Sequence, residues 1–98
     1  INFPINDNDG VKLKTPLLIQ IELCKQFGGC TAYDGAGSWV NEHGKLYAEP
    51  VKIIQAAFKN NNKNRLFLKN LVKKYGKLSK QEAVYLSINN KASIINIK

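Results

Sequence analysis

Tyr33, Asp34, Trp39, Glu42, His43, Tyr47 and Glu49 crowd one stretch of the chain. A histidine flanked by carboxylates can titrate near neutral pH and pass a proton to or from a substrate. An aromatic wall of tyrosine and tryptophan can stack a base or another planar ligand at roughly 1–3 kcal/mol per base. Tyr33, Asp34, Trp39, His43 and Glu49 are therefore the candidate ligand pocket, a site for a small ligand or for the chemistry of a small enzyme. Two observations weigh against catalysis. Glu42-His43-Gly44 reads as a turn tip, where side chains are solvated, and no Ser or Cys stands in a pattern that this histidine would activate. No catalytic residue is assigned. The aromatics read more readily as cross-strand packing, the usual role of aromatic pairs in a sheet.

Other site chemistries find too few residues. Gly35-Ala36-Gly37 lacks the third glycine of a dinucleotide fingerprint and opens onto a strand, not a helix. The pair reads instead as a positive-φ bulge that bends a strand. Cys24 and Cys30 are not spaced as CxxC, and one histidine leaves a structural zinc short of ligands. The Asp/Asn alternation from Asn6 to Gly10 lacks the remaining positions of a calcium loop. No metal or cofactor is expected. A Cys24–Cys30 bridge is conceivable across a helix-to-strand turn; two free thiols in a reducing compartment are the simpler reading.

Charge points elsewhere. Residues 1–50 carry four basic groups against six acidic ones, whereas residues 51–98 carry eleven against Glu82 alone, within a net charge of +8. Arg65, Lys69, Lys73 and Lys77 recur every fourth residue, so the first three line one helix face with Lys77 just beyond its end. Lys63, Lys74 and Lys80 broaden the patch. Such a row suits a phosphate backbone, with affinity falling steeply as salt rises. The competing readings are a solvated face and a lysine- and asparagine-rich composition in which Arg65 is the single arginine.

Ninety-eight residues make one domain, 1–98. Ile1–Ile5 alternates as a strand does. Thr15-Pro16 starts a helix, with Thr15 as N-cap; Leu17, Leu18, Ile21, Cys24 and Phe27 form its stripe, and Gly28 stops it. Cys30–Tyr33 and Ser38–Val40 read as two short strand pieces around the glycine kink. Glu42-His43-Gly44 turns a hairpin into a strand over Tyr47–Phe58. Leu68, Leu71, Val72 and Tyr75 give a second helix ended by Gly76. Strands over Glu82–Ile88 and Ala92–Ile97 flank a turn. The order β-α-β-β-α-β, plus a terminal strand, is the α+β, ferredoxin-like split βαβ: an antiparallel sheet with two helices on one face. The other face is open, or covered by a second copy in a homodimer.

Phe27 to Trp39 reads FGGCTAYDGAGSW, with Glu49-Pro50 and Gln81-Glu82-Ala83-Val84 following. The chain resembles a family of small, uncharacterised α+β proteins from bacteria, phages and plasmids that carry an FGGxTxxxGxGxW-like motif. The resemblance covers most of the chain, departs at Lys77-Leu78-Ser79, and implies a fold but no activity. The reading favoured by sequence is a non-enzymatic accessory module. It engages nucleic acid or an acidic protein partner through Arg65, Lys69, Lys73 and Lys77. No apolar run spans a membrane. A cytoplasmic setting is expected, although a chain opening at Ile1 leaves room for a removed leader.

Overall fold

The computed structural model describes residues 1–98 except Asn8, Glu82, Asn90 and Lys98. Its elements are β1 (Asn2–Pro4), α1 (Thr15–Phe27), β2 (Thr31–Val40), β3 (Leu46–Gln55), α2 (Asn62–Leu78), β4 (Ala83–Ile88) and β5 (Lys91–Asn96). The sheet order is β2-β3-β1-β4-β5 with every neighbouring pair antiparallel. The α1 crossover thus carries the chain from β1 to β2 while β3 takes the place between them. That is the split βαβ arrangement with one added edge strand.

Local chemistry explains the helix ends. Pro16 sits in the first turn of α1, where a missing N–H costs nothing. Gly28 takes the left-handed conformation at φ 92°, and its N–H donates to the Cys24 carbonyl. The Thr15 side chain caps nothing. Its hydroxyl instead lies 2.7 Å from that of Ser79, both side chains buried, joining the start of α1 to the end of α2. On α2, Asn61 is the N-cap, and its side-chain oxygen accepts from the Asn64 N–H.

The core lies between the helices and one sheet face. Phe3, Ile19, Leu23, Ile54 and Val72 are its fully buried side chains. Leu68, Leu71, Val72 and Tyr75 form the inward stripe of α2 as their spacing predicts. The stripe of α1 differs from expectation: Ile19 and Leu23 face in, whereas Leu17, Leu18, Ile21 and Cys24 are exposed. This helix is apolar on nearly every side, so periodicity gives no unique inward face. Gly76 does not end α2, which runs on to Leu78. A Cβ there would stand 2.6 Å from Ile97 Cδ1 and 2.8 Å from its Cγ1; the glycine lets helix and sheet approach closely.

The glycine segment is likewise not a kink. β2 pairs with β3 in unbroken register from Thr31↔Gln55 to Val40↔Leu46, and neither Gly35 nor Gly37 has positive φ. The two glycines vacate space instead. A Cβ on Gly35 would meet Ile53 Cδ1 at 2.8 Å, and one on Gly37 would meet Val51 Cγ1 at 3.2 Å.

Candidate functional site

Side chains alternate across a strand, so the β2–β3 register assigns each candidate to a face. Gly35, Gly37 and Trp39 share a face with their partners Val51, Glu49 and Tyr47. This is the face turned away from the helices. Here the side chains of Ile53 and Val51 occupy the space that Gly35 and Gly37 leave, and beyond them Trp39 stacks on Tyr47 (centroids 5.4 Å apart, planes 14° off parallel). Lys45 Nζ lies 5.1 Å from the Tyr47 centroid, a cation–π contact.

On this face lies a hollow of about 850 Å³, with Trp39, Glu49, Val51, Gln81, Tyr85 and Ile94 among its walls and Lys80 also lining it. The volume suits a ligand of nucleoside size. Glu49 supplies its carboxylate. Desolvation against the sheet raises the Glu49 carboxyl above its ordinary value of 4.5. A half-buried carboxylate with a perturbed affinity for its proton, set among apolar and aromatic walls, is the kind of group that marks ligand sites.

Of the residues singled out by sequence, Trp39 and Glu49 come together here. Tyr33 shares their face but lines a neighbouring hollow of about 610 Å³, which has Asn2 and Tyr85 in common with the first; its hydroxyl accepts from Gln55 Nε2 at 3.2 Å. Asp34 points to the opposite face, where it pairs with Lys52. His43 stands at the hairpin tip, 3.5 Å from Glu42, with four-fifths of its side chain exposed. The turn there is built by Asn41, whose Oδ1 accepts from the backbone N–H groups of His43 and Lys45. Gln81, Tyr85 and Ile94 escaped the sequence reading. Nothing local in sequence brings β4 beside Glu49; β1 does that, lying between β3 and β4.

The basic helix face is also resolved. Lys69, Lys73 and Lys77 are exposed on α2, with no acidic partner among the described residues. Lys77 lies within the helix. Arg65 is half-buried and bonded to Asn60 and Asn62, so it braces the loop before the helix. Lys74 pairs with Glu22 of α1 at 3.4 Å, and that carboxylate raises its affinity for the proton. Among the described residues no cluster of three or more His, Cys, Asp or Glu could hold a metal ion, and no helix is long and apolar enough to cross a membrane.

A family model described as "Protein of unknown function (DUF3574)" matches residues 22–94. No curated protein matches the chain. Among solved structures, a phage SAM lyase in complex with S-methyl-5'-thioadenosine is similar, with a TM-score of 0.63 and 18% identity over 97% of this chain and 84% of that one. At that identity the likeness is one of fold.

Proposed function

We propose that this chain, which belongs to the DUF3574 family of unknown function, binds a cationic purine nucleoside of the S-adenosylmethionine class in the hollow beside Trp39, Glu49 and Tyr85. The observation that carries this reading is Glu49: a desolvated carboxylate facing an aromatic-walled hollow of about 850 Å³. A sulfonium cation would offset the cost of ionising that carboxylate, and the Trp39–Tyr47 stack offers a flat apolar surface to a purine. The shared fold with a phage SAM lyase holding a thioadenosine favours this ligand class over other cations that carry an aromatic ring. The reading is of a cytoplasmic binding module in which Glu49 is the carboxylate of the hollow with a raised proton affinity.

Calorimetric titration with S-adenosylmethionine, S-methyl-5'-thioadenosine and adenosine tests it. Binding is expected in the order sulfonium, thioether, adenosine, with the first at least about tenfold tighter than the second, the worth of one charge-assisted contact. Absence of heat and of any melting shift with all three would overturn it. Chromatography of the same mixtures reads release of S-methyl-5'-thioadenosine, which a pure binder does not produce.

The exposed row Lys69, Lys73 and Lys77, with no acidic partner among the described residues, favours a second reading, a polyanion surface on α2. On it, a Lys69→Glu/Lys73→Glu variant loses binding to random DNA and RNA oligonucleotides. Affinity of the parent chain falls steeply between about 50 and 200 mM salt. Equal binding by parent and variant at low salt removes this reading and leaves the hollow untouched.

A further inference from the structure

The last turn of α1 and the start of β2 bring Cys24 and Cys30 together. Both thiols are free, and their sulfurs lie 3.6 Å apart. Neither lines the two hollows described above. Cys24 is exposed and Cys30 half-buried, its sulfur also 3.7 Å from the Gln20 carbonyl oxygen. The connecting turn contains Gly28 and Gly29, at neither of which would a Cβ meet any neighbour, so the backbone has room to adjust. We infer that Cys24 and Cys30 are a redox-active dithiol, which low-molecular-weight disulfides of the glutathione type convert to an intramolecular bridge.

The exchange balances without any other oxidant. The Cys24 thiolate, the more accessible, attacks one sulfur of the small disulfide; the S–S bond breaks and one thiolate leaves. Cys30 then gives up its proton and attacks Cys24 Sγ, expelling the second thiolate. Two protein thiols are oxidised, one disulfide is reduced to two thiols, and the two cysteine protons end on them. Burial, with the neighbouring Cys24 after it, pushes the Cys30 thiol up, which fits it to the second, intramolecular step. The bridge closes a short loop and ties the helix to the strand. It draws stability from the unfolded state, and because the loop is short the gain is modest.

Incubation of the whole chain with oxidised glutathione, followed by intact-mass spectrometry, tests the inference. The expected product is monomeric, about 2 Da lighter than the starting chain, and melts roughly 5–10 °C higher. Cys30→Ser is expected to stop at a glutathione adduct on Cys24, and Cys24→Ser to react more slowly. A persistent adduct on the unaltered chain, or a disulfide-linked dimer in place of the lighter monomer, would overturn it.

Discussion

A Glu49→Gln variant is expected to lose roughly 10- to 100-fold in affinity for S-adenosylmethionine, the worth of a partly desolvated charge contact of about 1.5–3 kcal/mol. Its affinity for adenosine changes little. The pH dependence gives the sharper signature. The ligand cation pairs with ionised Glu49, so affinity in the parent chain rises with pH through the raised Glu49 titration and then levels; in the variant it is flat. Stability moves the other way. The folded-state proton affinity of Glu49 exceeds its unfolded value of 4.5. Its contribution is therefore complete below pH 4.5 and is lost as pH rises through the higher folded value. A glutamine escapes that loss, so at neutral pH the variant melts no lower than the parent. A drop in affinity for all three ligands together, with a lower melting temperature, would mark a structural role instead.

Phe3→Ala is expected to cost about 3–5 kcal/mol, the range for emptying a fully buried phenylalanine site. Phe3 has no exposed surface and packs in one cluster with Ile19, Leu23, Ile54 and Val72. It is also the middle residue of a three-residue strand, opposite Lys52. A chain of this size has a total stability on the order of 5–15 kcal/mol. The loss should appear as a fall of roughly 15–30 °C in melting temperature, or as outright unfolding. Urea midpoints check it; a loss under about 1 kcal/mol would show that the site collapses around the gap.

The architecture was legible because its signals are local. Thr15-Pro16 and Gly28 bracket α1, the spacing of Leu68, Leu71, Val72 and Tyr75 fixes the inward face of α2, and β4 alternates cleanly. What stayed hidden depends on residues distant in sequence. A glycine's missing side chain serves a backbone angle or a neighbour's bulk, and the letters do not say which. For Gly35 and Gly37 the answer is Ile53 and Val51; for Gly76 it is Ile97. The same holds at the candidate site. Trp39 and Glu49 stood out as residue types, but only register puts them on one face and sends Asp34 to the other. Thr15 looked like a cap because Thr-Pro commonly is one; a buried Ser79 engages it instead.

The β2–β3 hairpin is uneven along its length. Near its base β3 is held by β1 at Val51, Lys52 and Ile53; from Glu49 to the tip the two strands pair only with each other. The molecule is correspondingly elongated, 40 Å against 25 and 23 Å. Amide hydrogens at the base therefore exchange only when the whole domain opens, while those from Gly37 to Tyr47 exchange through local fraying at far lower cost. Trp39 and Glu49 ride on this breathing part of the ladder. Whatever settles between them and Tyr85 also pins the arm to β4, so occupancy of the hollow would be felt first as slowed exchange near the hairpin tip.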